Sequence, residues 1–421
     1  MSDARAPRVV KPFFRVLSPA EARAALERFG PLGTERVAVA DAAGRILAEL
    51  IVAADDMPHF HRSNMDGYAV RAEDTFGASA SQPSYLRLVG SIEMGDEATR
   101  VLERRETMRI STGGMIPPGA NAVVMIEYCD ELVDGTVEIQ RGVSPWESVL
   151  RIGEDIRRGD PVFPAGRKLR AQDLGALTGA GITEVAVGRR PRAALLSTGD
   201  EIVPPDVQPR PGQIRNINQY SLAAMIREAG GVVLDLGLVG DTAEQLKTAL
   251  SRALGEADVA FLSGGSSVGT KDMALDVIAS FPDSEVLFHG IRYAPGKPTI
   301  LARAMGRPIL GLPGHPVSAL VTFRLFGAPL VKLLAGEKPE SAFAHERTAR
   351  ATLVRNVPSE PGREDYVRVT LELSADGRRL ARPVPGKSGA VFSLVHADGM
   401  VRIPLEAEGL EEGDEVEVLL F

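Results

Sequence analysis

Cysteine is nearly absent: Cys129 is the only one in 421 residues. An intramolecular disulfide is therefore impossible and a thiolate zinc cluster is excluded. Cys129 follows Tyr128 after an apolar run and reads as a core residue. Tryptophan is as scarce, and Trp146 reads as packing at a domain edge. Positive charge is in deficit, with 48 Lys and Arg against 56 Asp and Glu and a net charge of −8. That argues against a nucleic-acid partner, whose phosphates need a basic face. Long apolar runs are missing too. The nearest approach to a membrane span, 317–334, is broken by Arg324, Pro329 and Lys332, where a span needs about 18 or more residues free of charge. The opening MSDARAPRVVKPFFRV has no apolar signal region. These absences together predict a cytoplasmic protein with no membrane association.

What the chain does have is turns, with 43 Gly and 29 Pro, on an ordinary background of 44% hydrophobic and 25% charged residues. At this length several domains are expected. Ser18-Pro19-Ala20-Glu21 is a capping box, and its helix stops near Gly30. The stretch from Asp55 to Thr75 is dense in Pro, Gly, Asn and Asp yet carries Phe60 and Tyr68, which points to a functional loop. Residues from about 84 to 146 alternate like short strands. From Pro191 the pattern becomes strand–turn–helix repeats: RAALLSTGDEIV, VVLDLGLVGD, VAFLSGGSSVG and RPILGLPGHPV. Such repeats predict a parallel sheet whose turns gather at one edge. From about 343 the pattern is purely β and long enough for a small barrel.

The turns of the α/β segment carry Asp200, Glu201, Asp241 and Asp272. Like charges about 4 Å apart repel by roughly 4 kcal/mol at an effective dielectric near 20. A cluster of this kind calls for a cation, a shared proton or a donor-rich ligand, and Mg²⁺ suits oxygen ligands and phosphate. Helix capping is the competing use, since Asp241 precedes a helix and Asp272 opens one. The Gly-rich turn Ser263-Gly264-Gly265-Ser266-Ser267-Val268-Gly269 offers small hydroxyls and backbone N–H groups to an oxyanion. Lys297, in Gly296-Lys297-Pro298, can set an ammonium beside a phosphate, although the spacing is not that of a P-loop. His59 and His61 read as loop histidines rather than as a metal pair.

Seven motifs fall in order: SNMDGYAV (63–70), STGGMIPPGANAVVMIE (111–127), STGDEIV (197–203), GQIRNIN (212–218), SGGSSVGTKD (263–272), PGKP (295–298) and LPGHPVSA (312–319). Together they resemble the molybdopterin molybdenumtransferases, the MoeA and gephyrin E-domain family. The resemblance implies a multi-domain α/β plus β protein. Its parts would be an N-terminal helical linker domain (12–52 with 159–189), an inserted β-rich domain (53–158), a three-layer, MogA-like molybdopterin-binding domain with a parallel sheet (190–337), and a small C-terminal β-barrel (340–421). It also implies a homodimer with an active site shared between subunits, and a molybdopterin adenylyltransferase as a candidate partner. The activity implied is Mg²⁺-assisted insertion of molybdate into adenylylated molybdopterin, with release of AMP.

Carried over by position, Asp66, Asp155, Glu201, Asp241 and Asp272 match the family's functional carboxylates, and Glu201, Asp241 and Asp272 would hold the metal. Ser111, Thr112 and Gly113 match a loop that serves the partner's site. Thr198, Gly199, Asp200, Ser263, Gly264, Gly265, Ser267 and Gly269 would face the pterin or phosphate. Lys297, Pro298, Pro313, Gly314, His315 and Pro316 lie at the oxyanion end. Three positions depart from the family pattern: His315 where LPGNP has asparagine, Asn216 where an aspartate is usual, and Ala294 where many members have lysine. These departures leave open a tungstate enzyme and a non-catalytic pterin-binding relative. His315 can donate to an oxyanion, better when protonated, and Arg292 can stand in for the missing lysine.

Overall fold

The computed structural model describes residues 16–264, 268–345 and 347–421, with residues 268–272 described by their backbone alone. It divides into two compact units, one of residues up to 36, 44–48 and 186–421, the other of 37–43 and 49–185.

The first unit is built on a six-stranded sheet in the order Val232–Val239, Arg192–Thr198, Val259–Gly264, Arg307–Leu312, Ile300–Ala304, Glu285–His289. The first four strands run parallel. Ile300–Ala304 is antiparallel to both neighbours, a departure from the uniformly parallel expectation. Its cause is local. Only Met305 and Gly306, at φ 51° and 76°, separate it from Arg307–Leu312, and a two-residue turn of this kind joins antiparallel neighbours.

Alternation along the strands supplies a core on each face. Ala193, Leu195 and Phe261 pack with Leu222, Ile226, Val321 and Phe323 on one side. Ala194, Leu196 and Leu262 pack with Leu246, Leu250, Val277 and Ile278 on the other. The result is three layers, with helices Asn218–Glu228 and Pro316–Leu334 on one face and Ala243–Glu256 and Val268–Ala279 on the other. The capping-box helix starts as expected at Pro19 but ends at Leu26, with Glu27 as its C-cap, short of Gly30, and it buries Ala22 and Leu26 in the first of these cores. Pro316–Leu334 is long and apolar enough to cross a bilayer, but 78% of its apolar window is buried inside the protein. Its middle, Phe323–Gly327, is a π segment. Pro329 has no N–H to offer the Leu325 carbonyl, and the helix loosens one turn before it.

In the same unit the C-terminal strands Glu364–Leu373, Arg379–Pro383, Thr348–Leu353, Glu415–Leu420 and Gly399–Ile403 close into a five-stranded barrel. Closure comes from Glu364–Leu373 pairing with Gly399–Ile403 as well as with Arg379–Pro383. Val369, Ala381, Val401 and Val418 fill its interior. The short strand Tyr293–Ala294 of the α/β body pairs with Glu364–Asp365 at the barrel's start.

The second unit centres on a six-stranded sheet ordered Ala122–Met125, Gly67–Val70, Glu106–Ile110, Ser84–Ile92, Thr136–Ile139, Cys129–Glu131. Gly67–Val70 is buried on both faces, Tyr68 and Val70 to one core and Ala69 to the other.

Candidate functional site

In the first unit the register sets Thr198 opposite Val239 and Gly264, and Ser263 opposite Leu312. Four turns therefore leave the sheet at its carboxyl edge, where open α/β sheets hold ligands. Below them lies a cleft of about 600 Å³. Thr198, Gly199, Glu201, Asp241, Ser263, Gly264, Gly314, His315 and Pro316 line it, as do Arg215, Asn216 and Asn218. Gly264 has no substitute in this edge: its φ is 123° and a Cβ would stand 2.1 Å from the Thr198 carbonyl oxygen.

Asp200 and Asp241 lock the first two turns together. The Asp200 N–H donates to Asp241 Oδ2 at 3.2 Å, and the Asp241 N–H donates to Asp200 Oδ1 at 3.4 Å. Asp241 does not cap the helix that follows it, because Thr242 does so by accepting from the Gln245 N–H at 3.3 Å. Asp241 Oδ1 is buried with no hydrogen-bond partner. Burial, with Asp200 and Glu201 as negative neighbours, raises its carboxyl pKa against the Asp200 N–H. An orphaned buried carboxylate oxygen is one ligand that a divalent cation could take. Among the described residues no three acidic, His or Cys side chains converge as a complete metal site. Of the expected metal trio, Glu201 and Asp241 line the cleft, and the Asp272 side chain lies outside the described residues. Gly265 and Ser267 lie outside them as well, and Gly269 is described only as part of the helix backbone.

Asn216 is buried, and its Oδ1 accepts the Gln219 N–H at 3.2 Å, one residue before the N-cap position Ile217 of helix Asn218–Glu228. An aspartate oxygen could accept the same N–H, so this departure from the family pattern keeps that hydrogen bond and changes the charge. Asn218 donates from Nδ2 to Ser263 Oγ at 2.8 Å and to the Gly314 carbonyl at 2.9 Å, tying three turns together. Its Oδ1 is buried and unpartnered. Gln219 accepts from Ser197 Oγ at 2.7 Å and donates to Asp235.

A second cavity of about 700 Å³ lies in the same unit, lined by Arg292, Ala294, Lys297, Pro298, Pro313, His315, Ser318, Glu360, Arg363 and Ser388. Gly296 holds its floor: at φ 132° a Cβ would meet the Tyr293 hydroxyl at 2.2 Å and Thr322 Oγ1 at 2.6 Å. Arg292 shares this lining with Ala294, and its guanidinium is also 4.0 Å from Glu21. His315 Nδ1 is hydrogen-bonded to Ser388 Oγ at 2.9 Å.

In the second unit Asp66 and Thr112 meet. Asp66 Oδ1 accepts the Thr112 N–H at 2.7 Å and the Thr112 hydroxyl at 3.0 Å. These two bonds hold the exposed Asp66 carboxyl below its ordinary pKa. Ser111 donates to Glu93 at 3.2 Å, and the Gly113 N–H to the Ser63 carbonyl at 2.8 Å. Asp155 is exposed on a separate loop, its N–H bonded to the Met57 carbonyl at 3.1 Å. His61 is used structurally: its Nδ1 accepts the Ile152 N–H at 3.1 Å and its ring packs 4.8 Å from that of Trp146. Cys129 packs at the margin of the sheet core, and burial pushes its thiol up to about 12.

Sequence reasoning missed Asn218, Arg215, Ser388 and Arg363 as lining residues. Asn218 carried a signal, a polar residue two after Asn216 at a helix start. Ser388 carried none, because it reaches the cavity from a segment 73 residues beyond His315.

Three family models match the chain: "MoeA N-terminal region (domain I and II)" over residues 17–181, "Probable molybdopterin binding domain" over 194–333, and "MoeA C-terminal region (domain IV)" over 350–421. A molybdopterin molybdenumtransferase from Nostoc is 34% identical over 393 residues, 92% of this chain and 88% of that one. Another from Staphylococcus epidermidis is 32% identical over 377 residues, 90% and 88% of the two chains. Among solved structures, the molybdopterin biosynthesis MoeA protein from Pyrococcus horikoshii is similar in two crystal structures. One has 38% identity, a TM-score of 0.79 and coverage of 96% of this chain and 99% of that one. The other has 29% identity, a TM-score of 0.83 and coverage of 97% and 100%.

Proposed function

Because the chain belongs to the MoeA family of molybdopterin molybdenumtransferases, we propose that it completes molybdenum cofactor synthesis by inserting molybdate into adenylylated molybdopterin and releasing AMP. The observation that carries this reading is the carboxyl-edge cleft with its two orphaned acceptors, Asp241 Oδ1 and Asn218 Oδ1. A buried carboxylate oxygen without a partner favours a cation, and a buried amide oxygen without one favours a ligand donor such as a pterin or ribose group.

In this reading Glu201 and Asp241, with Asp272, hold Mg²⁺, which when bound neutralises phosphate charge at the phosphoanhydride. Gly264 and Ser263 let the ligand approach the backbone closely. Asn218 orients it, held by Ser263 and Gly314. Lys297 and Arg292 line the second cavity, where Arg363 is paired with Glu360 at 2.7 Å and Asp365 at 2.9 Å, and in this reading Lys297 and Arg292 position the dianion against the dithiolene. Water is consumed at the phosphoanhydride and AMP leaves. The two thiolates replace oxygen ligands on the molybdate, which take up protons and leave as water. Asp66 and Thr112 are exposed, and they serve the site of a second copy in a homodimer that works in the cytoplasm.

The test is direct. Full-length protein with Mg²⁺, adenylylated molybdopterin and molybdate is expected to release AMP with a pterin that now carries the metal. No AMP at saturating ligand refutes the proposal, and release with tungstate but not molybdate reassigns the substrate.

A further inference from the structure

A third cavity, of about 360 Å³, lies in the first unit. Helix Pro19–Leu26, the far halves of helices Asn218–Glu228 and Pro316–Leu334, and the edge of the barrel meet there. It shares no lining residue with the cleft or with the second cavity. Pro316 borders the cleft and Lys332 borders this cavity, roughly 24 Å apart along one helix at about 1.5 Å per residue. The volume falls within the range of small-molecule sites.

The charge in it runs against that of the chain as a whole, which is acidic. Among the described residues its lining carries Arg23, Arg324, Lys332 and Arg347 against one carboxylate, Glu228. These charges converge on His345. Burial first, then Arg23, Arg324 and Lys332, hold its imidazole below the ordinary pKa, with Glu417 opposing. Arg23 also keeps a buried Nε with no hydrogen-bond partner, and an unmet buried donor is costly. An anionic oxygen is the acceptor that such a lining attracts, because guanidinium groups grip phosphate and carboxylate oxygens in planar pairs. The other wall is apolar, made by Leu325, Pro329, Phe343 and Phe421. Arg324 joins the two walls: its guanidinium donates to the Leu420 carbonyl and lies 5.2 Å from the centroid of the Phe421 ring. It stands on the π segment Phe323–Gly327, and widened turns of this kind are frequent at functional sites.

We propose that this third cavity is a separate binding site for a phosphate monoester with an apolar body, its phosphate held by Arg23 and Arg347 and its body lying against Phe343 and Phe421. A bare inorganic ion leaves the apolar wall unused, and a neutral ligand leaves the cations unused. Helices Asn218–Glu228 and Pro316–Leu334 begin at turns of the cleft and border this cavity further along, so its occupant touches elements on which the cleft is built. The site stands whether or not the chain inserts molybdate.

Isothermal titration of phenyl phosphate into the full-length protein at pH 7.5 and low ionic strength, where exposed charges are least screened, tests it. Wild type is expected to bind phenyl phosphate about ten-fold more tightly than inorganic phosphate, from partial burial of the ring. Arg23→Gln should weaken phenyl phosphate about five-fold, the effect of one unit charge about 4 Å away in a water-like dielectric. Arg347→Gln should weaken it in the same direction, and Arg347 is exposed, so this variant keeps the test open if Arg23→Gln fails to fold. Lys297→Gln, in the second cavity, should leave the affinity unchanged. No heat of binding at millimolar phenyl phosphate overturns the site. Wild-type affinity in both Arg23→Gln and Arg347→Gln, or a loss confined to Lys297→Gln, overturns it as well, by placing the ligand elsewhere. Equal affinity for inorganic phosphate and phenyl phosphate overturns the role of the apolar wall.

Discussion

Asp241→Asn should make the metal-free protein more stable and deprive it of its response to magnesium. Asp241 faces Asp200 and Glu201, and one of its oxygens is buried with no donor. Repulsion from each neighbour costs about 1 kcal/mol in a water-like dielectric, and an orphaned buried acceptor about 1–3 kcal/mol. Asparagine keeps an oxygen for the Asp200 N–H, now bonded at 3.2 Å, and removes the charge. Solvent in the open cleft screens part of the gain, leaving a net stabilisation of about 1 kcal/mol.

The pH dependence has a definite sign. The Asp241 carboxyl is raised above 3.8, chiefly by burial, so the folded chain holds that proton more tightly than the unfolded one. Wild-type stability therefore declines as pH rises from 3.8 through the raised value. The advantage of the variant should appear above that window and vanish below it. Thermal and urea unfolding at pH 7.5, in chelator and then in millimolar Mg²⁺, measures both effects. A variant no more stable than wild type in chelator refutes the account of charge strain. Equal stabilisation of both proteins by Mg²⁺ removes Asp241 from the metal site.

Three further outcomes follow from particular contacts. Gly264→Ala brings a Cβ to 2.1 Å from the Thr198 carbonyl oxygen at φ 123° and should cost at least about 3 kcal/mol; a urea midpoint near that of wild type would show that the edge can relax. Asn216→Asp keeps an acceptor for the Gln219 N–H but buries a charge in the cleft that Glu201 and Asp241 already line, so it should cost about 1–2 kcal/mol at pH 7.5; an unfolding free energy unchanged within about 0.5 kcal/mol would show that the added charge is not felt there. Thr112→Val removes the hydroxyl bond to Asp66 but keeps the N–H bond, so the Asp66 carboxyl should rise toward 3.8 without reaching it. A carbon-detected NMR titration reads that shift, and an unmoved Asp66 signal would show that the hydroxyl bond does not form in solution.

Most of the architecture could be read from periodicity and turn chemistry. The strand–turn–helix repeats and the capping box at Ser18 are local patterns, and local patterns survive into the fold. Ile300–Ala304 escaped because its signature, Met305-Gly306, holds no Asn-Gly or Asp-Gly pair. The acidic turns were legible as a group because a shared sheet edge follows from parallel strands. What the turns do to one another was not. That Thr242 rather than Asp241 caps the helix, and that Asp241 keeps one oxygen without a partner, depend on bond directions that spacing does not encode. Ser388 and Arg363 were invisible for a different reason, because barrel and α/β body share a cavity wall only through tertiary packing.

The pairing of Tyr293–Ala294 with Glu364–Asp365 has a consequence for how the protein comes into being. Synthesis runs from the N-terminus, so the sheet and its acidic turns leave the ribosome well before residues 360–389. A nascent α/β body can have its cleft while the second cavity still lacks the wall that Glu360, Arg363 and Ser388 supply. The second cavity is thus assembled last, and a ribosome stalled near residue 350 would carry every one of the sequence motifs without the whole of that cavity's wall.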